Sequence, residues 1–234
     1  MIIDVLASSS LGNAYIVSDC YSSILLEAGI SYRELQTKSN FKVNDVVACF
    51  VTHSHLDHSK AIKDLAKAAI DVYAPTETFE ALKLSGHRLH GLNENDVVEV
   101  GTFKVKALKM HHDCICFGYM VLSTITGEKL FFATDTYKIT VNPAKVDYMI
   151  LEINYQMEIV NRLVNEGVME TSIRHRLMNS HFELSNALKW LTRIDKSNLK
   201  RIYVAHLSSG NANAEEIKRA VIEAMGVPVT ICEA

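Results

Sequence analysis

Histidine and aspartate are concentrated in one short segment, which reads Phe-Val-Thr-His-Ser-His-Leu-Asp-His-Ser and follows an apolar stretch at residues 46–51. His53, His55, Asp57 and His58 give it the spacing HxHxDH. Imidazole and carboxylate are ligands that Zn²⁺, Mn²⁺ and Fe²⁺ accept. Residues two apart in an extended segment project on the same side, so His53 and His55 can grip one ion. Asp57 and His58, at the entry to a helix, turn toward a second position. This density of ligand types predicts a metal site rather than a polar loop with chance histidines.

A second set of ligand-type residues is spread along the chain. His112, Asp135 and His206 each follow an apolar segment with the pattern of a strand. A site with two metal ions needs more ligands than one segment supplies. Any of the three alone is an ordinary polar residue, but together they indicate a site assembled from several strand ends.

The elements that must position these residues alternate along the chain. Predicted strands cover residues 2–7, 14–18, 23–27, 46–51, 72–74, 97–100, 102–110, 117–123, 129–133, 148–152, 202–205 and 227–231. Predicted helices cover residues 32–39, 59–69, parts of 156–177, 182–194 and 214–224. This order predicts sheets covered by helices in a layered α/β arrangement.

Length and composition are those of an ordinary globular protein, with 234 residues, of which 48% are hydrophobic and 22% charged. Three prolines and no low-complexity linker predict a single domain over residues 1–234. Such a chain buries an adequate core without a metal staple, so a bound metal is expected to be catalytic. The first residues lack a basic region, and no stretch approaches the ~18 apolar residues of a membrane span. We therefore expect no membrane association and a cytoplasmic protein.

Charge, cysteines and aromatic residues constrain the partners less. The net charge of −3 gives no global attraction to nucleic acid. A basic run between residues 174 and 201 is interpreted as a solvated helix face, with a local patch for a phosphodiester backbone as the alternative.

The five cysteines are scattered, and the pair Cys114 and Cys116 is expected to share one strand face in a buried structural role. Candidates for stacking on bases are Tyr15, Tyr137, Tyr155 and Trp190, the last of which fits core packing better.

The full series of motifs, HxHxDH followed by a lone His, an Asp in a Thr-Asp turn and a late His, resembles that of the metallo-β-lactamase superfamily. The resemblance covers essentially the whole chain and implies a four-layer αββα sandwich with two metal ions at one edge. It further implies two ligand sets and a bridge: His53, His55 and His112 for one ion, Asp57, His58 and His206 for the other, and Asp135 between them.

Smaller motifs resemble the WalJ/YycJ-like branch of that superfamily. They are Ser-Ser-Ser-Leu-Gly-Asn-Ala-Tyr at residues 8–15, His-Asp at 112–113, Ile-Leu-Glu-Ile-Asn at 150–154, Asn-Ser-His-Phe-Glu-Leu-Ser-Asn at 179–186, and His-Leu-Ser at 206–208 with Asn211 and Asn213. The branch implies a phosphodiesterase with DNA exonuclease activity. The sequence departs from the branch at residues 27–29, where Glu-Ala-Gly replaces Asp-Ala-Gly, at 153–156, and in the missing glycine before His181. These departures lie around the ligands and leave the substrate open.

Substrate contacts are expected near a predicted helix start. Ser180 and Glu183 have the S-x-x-E spacing of a capping box, and a helix N-terminus with free N–H groups suits a phosphate. His181 is the candidate to contact phosphate or protonate the leaving oxygen. The substrate-binding candidates are Asn13, Ser180, His181, Ser185 and Ser208, and the catalytic candidates are Asp57 and His181. Asp113, Glu27 and Asn13 are candidate partners of the ligating imidazoles.

The sequence thus predicts a dinuclear hydrolase in which a metal-bridging hydroxide attacks a phosphodiester of nucleic acid or a related substrate. The alternative within the same fold is a hydrolase acting at carbon, such as a thioesterase, lactonase or β-lactamase-like enzyme. A metal-free binding protein is the alternative from another class. The two ions can be Zn²⁺ or Mn²⁺, or Fe²⁺. The choice of DNA or RNA, the cleavage polarity and the oligomeric state are not readable from the sequence.

Overall fold

The computed structural model describes residues 1–232. It is a mixed α/β protein whose strands form two sheets, as predicted. The chain forms two compact units: unit 1 contains residues 1–109 and 114–129, and unit 2 contains residues 110–113 and 130–232. Within residues 1–232, no helix is both long enough and apolar enough to cross a membrane.

Unit 1 contains one complete sheet. Its six strands lie in chain order: β1 (Ile2–Ser9), β2 (Gly12–Ser18), β3 (Ser23–Leu26), β4 (Ala48–Phe50), β5 (Val72–Pro75) and β6 (Leu89–Leu92). The first two pairings are antiparallel and the other three are parallel. Unit 1 also contains β7 (Val97–Val100), β8 (Phe103–His111) and β9 (Ile115–Ser123) of the second sheet, and the helices α1 (Tyr32–Lys38), α2 (Leu56–Ser59), α3 (Ile62–Lys67) and α4 (Thr76–Ala81).

The apolar composition of the central strands explains this sheet. Strands β3 and β4 are short runs of buried residues, as expected for parallel strands covered on both faces. Ile62 and Leu65 of α3 lie in the core cluster with Leu25 and Cys49 of these strands. The core therefore anchors the end of β4, from which the histidine segment continues.

A buried carboxylate ties β2 to the more distant strands of unit 1. Asp19 accepts hydrogen bonds from the N–H groups of Tyr21 and Ser22 and from the hydroxyls of Thr102 (2.7 Å) and Ser123 (2.6 Å). Burial alone would raise the pKa of Asp19, but these hydrogen bonds lower it below its usual 3.8. Asp19 is therefore a stabilising anion at neutral pH.

Unit 2 contains parallel strands linked through helices. Strands β10 (Lys129–Ala133), β11 (Tyr148–Glu152), β12 (Arg201–Ala205) and β13 (Val229–Ile231) are neighbours in that order, and each pairing is parallel. The helices are α5 (Met157–Asn165), α6 (Thr171–Ser180), α7 (Leu184–Leu191) and α8 (Ala214–Met225). Because parallel neighbours end at the same edge, the residues that follow β10, β11 and β12 come together.

Several predicted boundaries differ from the structure. The helix predicted over residues 59–69 is two short helices, α2 and α3, and α2 begins inside the histidine segment. Strand β6 and helix α4 were not predicted, because their short apolar runs lack a clear period. The helix predicted over residues 182–194 begins at Leu184, which also changes the capping expected at Ser180.

Candidate metal centre

In unit 1 the HxHxDH segment leaves the end of β4 and enters α2. His55 is the N-cap residue of this helix, and Asp57 and His58 lie in its single turn. His53 and His58 are completely buried, and the centroid of the His53 ring lies 4.6 Å from that of His55 and 4.3 Å from that of His58. The structure thus brings the predicted ligands of this segment together.

The completely buried Glu27 sets the protonation of two of these histidines. Its carboxylate accepts hydrogen bonds from His58 Nδ1 (3.0 Å), Thr52 Oγ1 (2.7 Å) and the Thr52 N–H (3.1 Å). Since the single hydroxyl proton of Thr52 goes to Glu27, the Thr52 oxygen accepts from His53 Nδ1 at 2.8 Å. Both histidines therefore carry their proton on Nδ1 and present the Nε2 lone pair, which is the form that binds a metal.

The lone pair of His58 meets an unusual neighbour. Its Nε2 lies 3.4 Å from Asp57 Oδ2 and 3.3 Å from the Asn13 amide nitrogen. An acceptor beside a carboxylate oxygen is electrostatically unfavourable unless a cation sits between them. This donor set therefore fits a divalent ion.

Asn13 has no exposed surface, and its amide nitrogen also contacts the carbonyls of Ser9 and Asp57. Asn13 therefore lies beside the His58 imidazole, and its contact with a substrate stays a prediction. Gly29 has a related packing role, because a Cβ at this position would lie 1.7 Å from the Asp57 carbonyl oxygen. The chain can approach Asp57 this closely only with glycine.

The two cysteines of the Cys-x-Cys motif differ, contrary to the expectation that both are buried on one face. Cys116 is buried, with Sγ 3.9 Å from His53 Nδ1. Cys114 precedes β9, so strand alternation does not govern it, and it is only partly buried. Its Sγ and ligand atoms of His53 and His55 all lie within 4.8 Å of one another.

In unit 2, three acidic or imidazole groups lie where parallel strands end. Asp135 follows β10, Glu152 ends β11, and His206 follows β12. His181 joins them from the connection between α6 and α7. The ligand atoms of these four residues all lie within 4.8 Å of one another. Asp135 and His206 were predicted as metal ligands, whereas Glu152 was noted only as part of a motif.

Glu152 is completely buried and holds two histidines. Its Oε1 lies 2.6 Å from His181 Nδ1 and 3.1 Å from His206 Nδ1. Burial alone would raise the pKa of Glu152, but the charge of His181 and the hydrogen bonds from both histidines lower it. Burial alone would lower the pKa of His181, yet the Glu152 carboxylate raises it. The side chain of His181 is 19% exposed, so a partly accessible imidazole is paired with a buried anion.

His112 repeats the pattern seen at His58. Its Nδ1 donates to the Ser180 carbonyl at 2.9 Å, and its Nε2 lies 3.1 Å from Asp113 Oδ1 and 3.9 Å from Asp135 Oδ2. Burial lowers the pKa of His112 despite these carboxylates, which favours the neutral ring. A lone pair again faces carboxylate oxygens, as a cation site requires.

The expected phosphate site at a helix start is wrong in its details. Ser180 is the last residue of α6 and is buried, so it caps no following helix. Helix α7 is capped by Glu183, whose carboxylate accepts from the Asn186 N–H (3.0 Å) and from the Ser185 hydroxyl (2.5 Å). A carboxylate already occupies this N-terminus, at the position expected for a phosphate. Ser208 is partly exposed and accepts a hydrogen bond from the Asn211 amide at 2.9 Å.

Three of these residues, Glu27 in unit 1 and Asp135 and His206 in unit 2, have a left-handed backbone, with φ of +67°, +47° and +55°. Non-glycine residues rarely adopt this conformation, which costs about 1–3 kcal/mol when it is imposed by the surroundings. Each of the three ends or follows a strand. Such strain is common at functional sites, but no sequence pattern reveals it.

Comparisons with known proteins agree with this geometry. A family model described as a β-lactamase superfamily domain matches residues 22–206, which is more than half of the chain. The exodeoxyribonuclease WalJ of Streptococcus pneumoniae serotype 2 (strain D39 / NCTC 7466) is 26% identical over 91% of this chain and 83% of its own length. The exodeoxyribonuclease YycJ of Bacillus anthracis is 28% identical over 92% of this chain and 85% of its own length.

A solved structure shows the same fold. The metallo-β-lactamase fold protein YhfI from Bacillus subtilis superposes with a TM-score of 0.75 at 14% identity, covering 99% of this chain and 95% of YhfI. The predicted fold class is thereby confirmed. The chain therefore belongs to the metallo-β-lactamase superfamily, as a metal-dependent hydrolase of its WalJ/YycJ-like branch.

Proposed function

We propose that the protein is a DNA exonuclease that hydrolyses phosphodiester bonds with two divalent metal ions. The observation that carries this proposal is the His181–Glu152 pair, a partly accessible imidazole held by a buried carboxylate next to Asp135 and His206. In phosphodiester cleavage such a group can supply the proton that the leaving oxygen takes up. Support also comes from the two exodeoxyribonuclease-named relatives, which match nearly the whole chain.

The ligand sets that we propose are those of the family resemblance. His53, His55 and His112 would hold one ion, Asp57, His58 and His206 would hold the other, and Asp135 would contribute to both. The donor chemistry supports them, since three of the histidines, His53, His58 and His112, keep their proton on Nδ1. When bound, two divalent ions supply an activated water and neutralise charge on the phosphoryl oxygens.

Other residues of the chain orient the imidazoles and supply a proton. Glu27 holds His58 at Nδ1, and Thr52 holds His53 at Nδ1, so the imidazoles need no reorientation. Glu152 keeps a proton on His181 Nδ1 and stabilises the imidazolium form. His181 is proposed to donate its other proton to the leaving oxygen, an effect that typically contributes about 10²–10⁴ in rate.

The test is release of nucleotides from end-labelled single- and double-stranded DNA and RNA, with Mn²⁺ or Zn²⁺ added. Asp57→Ala should abolish cleavage, whereas Asp64→Ala, an exposed aspartate on α3 of the same unit, should not. His181→Ala should slow cleavage by about 10²–10⁴ with metal content unchanged, and the exposed His175→Ala is its matched control.

The outcomes separate the alternatives. Metal-loaded protein that cleaves no nucleic acid but hydrolyses a thioester or lactone would replace the nuclease proposal with an acyl hydrolase. Protein that binds no metal at all would point to a non-catalytic binding role. Cleavage by wild type that survives in Asp57→Ala would show that the activity belongs to a contaminant.

A further inference from the structure

A cavity of about 370 Å³ in unit 2 lies between the segment after Asp135 and helix α7. Its volume falls within the range of about 300–1,000 Å³ found for small-molecule sites. Ile139, Phe182 and Trp190 line it and are all less than 10% exposed. The indole N–H of Trp190 donates to the Val141 carbonyl at 3.0 Å, so this side chain presents only its ring. Three buried apolar side chains, two of them aromatic, therefore form one part of the lining.

The lining also carries three cations and no carboxylate. Lys138, Lys189 and Arg193 are exposed side chains of the lining, and within residues 1–232 none of them forms a salt bridge. Uncompensated positive charge beside a buried aromatic surface suits a ligand that combines anionic groups with a flat apolar part. The side chain of Tyr137, with the residue 37% exposed, adds an aromatic surface that solvent can reach.

The chain connects this cavity directly to the catalytic group. Phe182 of the lining immediately follows His181, and Tyr137 lies two residues after Asp135. The Tyr137 N–H donates to the carbonyl of His111, which precedes the predicted ligand His112. A ligand in the cavity therefore lies within a few residues of two of the proposed site groups.

We propose that this cavity binds one nucleotide of a single-stranded DNA substrate, an inference that rests on the proposed nuclease function. Its base stacks on Tyr137 against the apolar lining, and Lys138, Lys189 and Arg193 contact the flanking phosphates. The nucleotide must be unpaired, because a base in a duplex is already stacked and cannot enter. The basic run that looked like a solvated helix face thus contributes two residues to a nucleotide subsite.

The first readout is binding of a fluorescent single-stranded phosphorothioate oligonucleotide, whose linkages resist hydrolysis, so that cleavage does not interfere. Tyr137→Ala should weaken binding about 5- to 100-fold, as expected for loss of one stacked base, while Tyr137→Phe should retain it. Lys189→Gln/Arg193→Gln should also make the dependence of log K on log [salt] shallower by about 1.4, or about 0.7 for each phosphate contact. Lys196→Gln/Arg201→Gln, from the same run but outside the cavity, is the matched control.

The second readout is hydrolysis of bis(p-nitrophenyl) phosphate by the metal-loaded variants, which reports the catalytic centre without a nucleotide. The cavity variants should keep this activity within about twofold while their KM for oligonucleotide rises about 5- to 100-fold. Unchanged oligonucleotide binding in Tyr137→Ala, or equal weakening in the control pair, would overturn the subsite even if wild type is a nuclease. Cavity-dependent binding without any DNA cleavage would uphold the subsite and overturn the exonuclease.

Discussion

The substitution Glu27→Gln tests whether a buried carboxylate fixes the form of the metal-binding histidines. An amide nitrogen at the Oε2 position would face the Thr52 N–H, so two donors would oppose each other. At the Oε1 position it would donate to the Thr52 hydroxyl oxygen and to His58 Nδ1, both of which donate to Glu27 in the wild-type protein. The His58 proton then moves to Nε2, and the Thr52 hydroxyl turns to donate to His53 Nδ1. Both histidines would lose the lone pair that binds metal.

The expected magnitudes follow from these contacts. Loss of a residue that orients a ligating imidazole typically costs 10–100-fold in metal affinity, so we expect the Zn²⁺ dissociation constant to rise by about that factor. One unsatisfied buried donor should lower the free energy of unfolding by about 1–3 kcal/mol. Competition with a chromophoric chelator measures the affinity, and denaturant unfolding with and without metal measures the stability.

The control for Glu27→Gln is Glu99→Gln, which removes the same charge from an exposed glutamate of the same unit that pairs with Lys104 at 2.7 Å. It should change neither the affinity nor the stability by more than about 0.5 kcal/mol, as is usual for surface substitutions. A Glu27→Gln variant that binds Zn²⁺ as tightly as wild type would refute the reasoning, because the hydrogen bonds would then not determine the imidazole form.

Three further predictions concern other contacts. Gly29→Ala should displace the Asp57 peptide by more than ~1 Å and lower Zn²⁺ affinity at least ~10-fold, which the metal content of purified protein would show. Glu152→Gln should leave His181 without its anion and reduce oligonucleotide cleavage at least ~10²-fold, and an equal loss in the exposed Glu158→Gln would contradict this. Asp19 has a pKa lowered below 3.8, so its stabilisation is present above that pH and is lost as the pH falls through the folded-state value. Asp19→Asn should therefore unfold about 1–3 kcal/mol more easily at pH 7, and urea unfolding should show the difference vanishing in acid.

Much of the fold and the ligand candidates could be read from the sequence because both rest on local patterns. A polar residue directly after an apolar strand marked Asp135 and His206, and HxHxDH marked the end of β4. The same signal was available for Glu152, which closes an apolar strand, but its importance depends on which side chains reach it. Its two partners, His181 and His206, lie 29 and 54 residues away along the chain.

Other features could not be predicted because the sequence signal was ambiguous. Ser180 and Glu183 have the spacing of a capping box, yet Ser180 ends one helix and Glu183 caps the next. The spacing alone does not say where the first helix stops. The nucleotide cavity was similarly hidden, since Tyr137 and Arg193 lie 56 positions apart and only folding brings them to one cavity.

In each unit a buried glutamate holds two histidines. In unit 1 Glu27 holds His58 directly and His53 through Thr52, whereas in unit 2 Glu152 holds His181 and His206 directly. A neutral imidazole has a single lone pair, so in His53 and His58 an acceptor at Nδ1 commits that pair to Nε2 before a ligand arrives. In His181 the Glu152 anion instead favours the imidazolium form. Glu27 also keeps a left-handed backbone, whose cost is tolerated only when the surroundings enforce it. Both carboxylate oxygens of Glu27 accept hydrogen bonds, and these bonds are among the contacts that enforce the backbone conformation. A conservative substitution of Glu27 can remove them. We expect metal affinity to fall more sharply than stability in such a variant.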